Sequence, residues 1–195
     1  MKNYLVQCLF VFLFFNLSAR AAFAFEEEHA AHEHGHATLM LVQEKDELQL
    51  VFKSPAMNII GFEHQANSSE QHAKVEWAKK SLSDAARLFH VSQNAQCELE
   101  HIAITSSLLE KDEHSDEHEY HEMDDHDSHT GGDNDSHSEF EAEYHFECVN
   151  ITALKEIKLA LFEIFTSIEE IETHIITNSG QKLLELDREN VSIKL

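Results

Sequence analysis

The sequence predicts an α+β fold: largely antiparallel sheet with two flanking helices, its halves faintly similar, and a long histidine- and acid-rich loop. Three observations predict it. Short runs carry apolar residues at every second position, as Leu48, Leu50 and Phe52 alternate with Gln49, Val51 and Lys53, the pattern of a strand with one buried face. One stretch behind Ser68 follows helical spacing instead. Between Lys111 and Glu139 almost no aliphatic residue occurs, so no core can form there and disorder is expected.

Residues 1–24 read as a secretion signal. Lys2 is the positive lead, Tyr4–Leu17 is a mostly apolar stretch of 14 residues, and Ala22-Phe23-Ala24 offers a small-x-small cleavage site. The stretch falls short of the ~20 residues that span a bilayer. Cleavage after Ala24 leaves 171 residues, and it takes the net charge from −23 to −25 because Lys2 and Arg20 are lost. A chain this acidic repels nucleic acid and anionic lipid and attracts cations. An exported chain that keeps two cysteines, Cys97 and Cys148, is expected to bridge them.

The first strand is expected over Ala37–Val42, with a polar turn over Gln43–Glu47 and an antiparallel second strand over residues 48–53. Pro55 ends it, and "PAMNIIGFEH" reads as an irregular or short helical connection containing Gly61. Ser68 and Gln71 form a capping box. Behind them Val75, Ala78, Leu82, Ala85 and Phe89 mark one amphipathic helix of about five turns. Trp77 lies just off that stripe.

Strands follow over residues 95–104 and over Phe140–Cys148, where Phe140, Ala142, Tyr144, Phe146 and Cys148 alternate with polar neighbours. These two flank the acidic stretch and are expected to pair, which sets Cys97 and Cys148 within disulfide reach. "LKEIKLALFEIF" contains a strand, Thr166 and Glu169 open a short helix through Ile171, and strands close the chain near His174–Thr177, Gln181–Leu186 and Val191–Lys194. The expected divisions are residues 1–24, 25–109, 110–139 and 140–195.

Function is written in the histidines. Glu110 to His145 holds seven of the 16 histidines and fifteen acids. A plain solvated acidic linker would need no imidazole, whereas neutral imidazole with carboxylate suits zinc and other borderline divalent metals. His114, His118 and His121 are spaced for one side of a helical turn, and His126 and His129 repeat the shorter interval, with His137 beyond. The second cluster, "HEHGHA", abuts the fold. His32, His34 and His36 alternate, so in an extended chain they face one way, and Glu63 and His64 of "GFEH" lie on the connection expected opposite them. His29 belongs to its fringe. The competing reading is a histidine-rich tail without a ligand. His72, His90, His101 and His174 read as surface or structural histidines, and His145 lies on the polar face of its strand.

At these residues the sequence resembles the ZrgA family of periplasmic zinc-binding proteins. The resemblance rests on "HEHGHATLML", "SPAMNIIGFEH", the "CELE" and "YHFEC" cysteine strands and the histidine/acid loop between them. It implies a periplasmic protein that assists zinc uptake beside a zinc ABC importer and that importer's own solute-binding component. Carried onto this chain, the implied ligand positions are His32, His34, His36, Glu63 and His64, with the loop histidines His114, His118, His121, His126, His129 and His137.

Two other functions compete. An enzyme needs a catalytic zinc in a closed pocket with an open coordination position. No HExxH helix is expected, since "HEHGH" reads as a different pattern whose second and third histidines are at the wrong spacing for one helical face, and neither a nucleophile elbow nor a glycine-rich phosphate loop occurs. A periplasmic buffer or detoxification protein for zinc, copper or nickel would use the same residues as uptake. Past residue 24 only Met40, Met57 and Met123 occur, too few for a copper(I) specialist. For any imidazole-held zinc, release is expected between about pH 7 and pH 5, where protons compete for the ligands.

Overall fold

The computed structural model describes residues 33–109 and 138–195. The expected secretion signal, His29, His32, His114, His118, His121, His126, His129 and His137 therefore lie outside the described residues, as does most of the 110–139 division. Among the described residues no helix is long and apolar enough to cross a membrane.

Strands β1 (His36–Glu44) and β2 (Glu47–Pro55) form the expected hairpin, with Leu39 opposite Phe52 and Leu41 opposite Leu50. Its turn is closed by Lys45 at φ 54°. After Pro55 comes the one-turn helix α1 (Ala56–Ile60), which Gly61 ends at φ 84°, donating its N–H to Met57, the left-handed cap that glycine adopts without penalty.

Helix α2 (Ser69–Leu82) starts at the expected box: Ser68 Oγ accepts from the Gln71 N–H at 3.2 Å, and Gln71 Oε1 accepts from the Asn67 N–H at 2.9 Å. It is shorter than expected. The chain breaks at Ser83, and Asp84 caps a new single turn, α3 (Ala85–Leu88), by accepting from the Arg87 N–H. Phe89 then begins strand β3 (Phe89–Val91), so the five-turn helix is really two helices and a strand. Local capping by Asp84 outcompeted continuation of the apolar stripe.

Strands β4 (Cys97–Thr105) and β5 (Glu139–Cys148) pair antiparallel as expected, and the Cys97–Cys148 disulfide joins them. Strand β6 (Glu156–Leu159) and the one-turn helix α4 (Leu161–Ile164) follow. The helix expected from Thr166 is replaced by strand β7 (Glu170–Thr177), which turns into β8 (Gly180–Asp187) and ends with β9 (Ser192–Lys194).

These strands make a six-stranded sheet in the order β4-β5-β2-β1-β7-β8 and a three-stranded sheet in the order β3-β6-β9. All pairings are antiparallel except β1 with β7, which run parallel with His36 beside Glu170. The class is α+β. Strands from both sides of the 110–137 segment share the large sheet.

One face of that sheet is the core. Leu39, Leu41, Leu48, Leu50, Phe52, Phe140, Ala142, Tyr144, Ile171 and Ile175 are buried, and most of the residues between them are exposed or half-buried, Val51 being a buried exception. Tyr144 ties helix to sheet: its hydroxyl donates to the Leu82 carbonyl at 2.8 Å and its ring meets Phe89 edge-on at 5.0 Å. Burial pushes the Tyr144 phenol well above its ordinary range. Trp77 is 44% exposed and touches Phe165 edge-on at the rim.

Candidate metal site

Residues 33–36 form a tight turn, not part of an extended row. The His36 N–H donates to the Glu33 carbonyl at 3.1 Å, and Gly35 sits at φ 89°, the third position of a turn that favours glycine. His36 then opens β1. The alternation expected to point His34 and His36 the same way is therefore broken at Gly35. Contrary to the expectation from spacing, His32, Glu33 and His36 do fit H-E-x-x-H. The turn at residues 34–35 keeps the described part of that segment from forming a helical zinc-protease face.

What fixes the turn is Asn58, only 2% exposed in α1. Its Oδ1 accepts from the Gly35 N–H at 2.8 Å, and its Nδ2 donates to the His36 carbonyl at 2.8 Å and to Ser54 Oγ at 3.2 Å. From the other side the Gly35 carbonyl accepts from the Glu169 and Glu170 N–H groups at 2.7 and 3.1 Å. A buried amide that satisfies two backbone groups of a turn both pins its shape and pays its own burial cost. The backbone carrying His34 and His36 is thus held by α1 and β7 together.

Carboxylates surround the two imidazoles. His34 Nε2 lies 3.8 Å from Glu63 Oε1, an oxygen shut off from solvent, and the Glu63 side chain is 12% exposed. His36 Nδ1 lies 3.4 Å from Glu170 Oε1, and its Nε2 lies 3.8 Å from Glu33 Oε1. Glu169 approaches Gly35 closely enough that an added Cβ would meet its Cδ at 3.4 Å. Sequence reasoning placed Glu63 here and missed Asn58, Glu169 and Glu170. The missed acids come through the parallel β1–β7 pairing.

His64 is exposed and stacks on Phe62 with centroids 5.1 Å apart, while its Nδ1 meets the Gln65 carbonyl at 2.8 Å. A carbonyl only accepts, so Nδ1 carries a proton, which leaves Nε2 as the nitrogen through which the neutral ring would ligate metal. Among the described residues no three histidine, cysteine or acidic side chains converge where they could hold one ion. The corner instead gathers His34, His36, Glu63 and Glu170 as two histidine–carboxylate pairs on one braced turn.

His72 lies in α2, His90 in β3, His101 in β4, His145 in β5 and His174 in β7. His174 meets Glu172 Oε1 at 2.7 Å.

No curated protein matches the chain. The model of the ZrgA family zinc uptake proteins matches residues 31–195, which takes in every described element. By that match, the chain belongs to the ZrgA family of zinc uptake proteins.

Proposed function

We propose that this chain is an exported zinc-binding protein that captures zinc in the periplasm and assists its import, working beside a zinc ABC importer. The observation that carries the reading is the turn at residues 33–36, braced by buried Asn58 and flanked by carboxylates on both imidazoles. Buried polar bracing of an exposed histidine turn has no use in packing a core, and it suits a ligand set that must keep its shape.

His34 and His36 are the principal ligands, with Glu63 and His64 completing the set once the side chains rearrange around the ion. His32 extends it from outside the described residues. Four nitrogen and oxygen donors match the coordination zinc prefers. The histidines from His114 to His137 raise the local density of donors and negative field, so that an arriving cation is captured before it reaches the principal ligands.

The chemistry is binding rather than catalysis. Zinc is cargo, and release follows from protonation or from competition by stronger donors. A competitive chelator titration of the chain against its His34→Ala/His36→Ala variant tests the assignment. At least a tenfold loss in the tightest zinc affinity is expected, and an unchanged tightest affinity would move the principal site elsewhere.

A further inference from the structure

A second pair of histidines meets on the large sheet, away from the braced turn. His101 of β4 and His145 of β5 are register partners, with ring centroids 6.0 Å apart and planes inclined at 53°. An extra residue brings them together. Cys97 and Leu99 oppose Cys148 and Phe146, but the register then shifts between Leu99 and His101. Glu100 is the bulged residue.

Without that insertion Glu100 would oppose His145, and His101 would fall on the side of Leu99. With it, Ile102 and Ile104 oppose the buried Tyr144 and Ala142, and His101 comes to His145. Bulges re-aim side chains in this way. Here the same extra residue returns two isoleucines to the core side and sets two imidazoles side by side on the other.

More donors lie close by. Glu143 Oε2 is 3.9 Å from His145 Nε2, and both side chains reach solvent, at 38% and 43% exposure. The Gln49 side-chain amide contacts the same nitrogen at 3.4 Å.

The geometry points to a second site for a divalent transition-metal ion, zinc foremost, held by His101 and His145 with Glu143 as an added oxygen donor and water in the remaining positions. Two imidazoles on one tetrahedral zinc at the usual ~2.0–2.1 Å place their centroids roughly 5–5.5 Å apart. The rings must therefore close by up to about 1 Å, within the reach of side-chain rotation for two solvent-facing histidines. Two nitrogens on unbraced side chains hold an ion less firmly than a fuller donor set. The site binds after the principal one and exchanges faster. It does not depend on the ligand assignment at residues 33–36.

The test is a zinc chloride titration of the full chain, following the ring C–H signals of assigned histidines by NMR. The His101 and His145 signals should shift together over one range of zinc concentration. In His101→Ala the His145 response should move to at least tenfold higher zinc, and in His145→Ala the His101 response should do the same. His101→Asn repeats the reading in a variant that keeps a polar side chain, and unchanged β5 amide signals certify the sheet in both. The paired response should persist in His34→Ala/His36→Ala, which separates this site from the principal one. A His145 response that is the same in wild type, His101→Ala and His101→Asn would overturn the proposal.

Discussion

Two parts of the same sheet present histidine by different means. At residues 33–36 the backbone is the device: a glycine turn is clamped by Asn58 from α1 and by the N–H groups of Glu169 and Glu170 at the start of β7, and the imidazoles are carried on it. At β4–β5 the ladder is the device, and one bulged residue decides which face His101 occupies. A clamped turn fixes where its ligands start from and draws carboxylates from distant segments. A ladder pair gives two donors cheaply and leaves them free to rotate. The difference predicts a firm site at the turn and an exchanging one on the ladder.

The largest expected effect comes from cutting the bridge beside the ladder pair. Cys97 and Cys148 are 51 residues apart, and a closed loop of that size stabilises by about 4 kcal/mol in the chain-entropy account. The Cys97→Ala/Cys148→Ala variant should lose about that much in denaturant unfolding. Its tightest zinc affinity should stay near wild type, because the bridge lies at the other end of the β1–β2–β5 ladder from the turn. Loss of both together would show that the two parts are not independent.

Asn58→Ala strikes the other part. It orphans the Gly35 N–H and the His36 carbonyl, at a cost of about 3 kcal/mol. In a chain of this size that lowers Tm by about 6–12 °C. Zinc affinity at the turn should fall with it, while the His101–His145 response stays put. A variant with normal zinc affinity would show that bracing is irrelevant to binding.

Gly35→Ala is a milder version. The residue must hold φ 89°, and its new Cβ meets the Glu169 side chain at 3.4 Å, which can move aside. The expected cost is about 1–2 kcal/mol, measured by thermal unfolding, with a smaller loss of zinc affinity than Asn58→Ala.

Smallest is Tyr144→Phe, which removes a hydrogen bond to the Leu82 carbonyl worth about 1 kcal/mol. It carries a pH signature. Because the folded phenol is pushed above its unfolded value, its stabilisation is whole below the unfolded pKa of about 10. It is lost as pH rises from there toward the folded value. Wild type should therefore destabilise more steeply than Tyr144→Phe in unfolding curves above about pH 10, while neither zinc site is affected.

The legible parts of the fold were those whose pattern is local. Alternation in Leu48–Phe52 and Phe140–Cys148 announced strands, and Ser68 with Gln71 announced the start of α2. The break at Asp84 was also written locally, in a residue that caps better than it continues a helix, but the apolar stripe running through to Phe89 obscured it. Around Glu169 a capping signal was read where Glu170, Glu172 and His174 already alternate with Ile171, Thr173 and Ile175, the signature of a strand.

Of the candidate site, His34, His36 and Glu63 were legible as neighbours, because imidazole beside carboxylate is unusual chemistry. Its architecture was not. The parallel contact of β1 with β7 joins residues far apart in sequence, and no local pattern names a strand's partner. Asn58 left one faint sign, a lone amide inside the apolar run of "PAMNII". The bulge at Glu100 left none, since apolar residues on both sides of it look like one strand.

The most direct test of the central claim is the tightest zinc dissociation constant of the full chain against His34→Ala/His36→Ala, measured by competition with a chelator at neutral pH. The account predicts at least a tenfold weakening, with the weaker ions still bound. An unchanged constant would contradict it and place the principal zinc away from the braced turn.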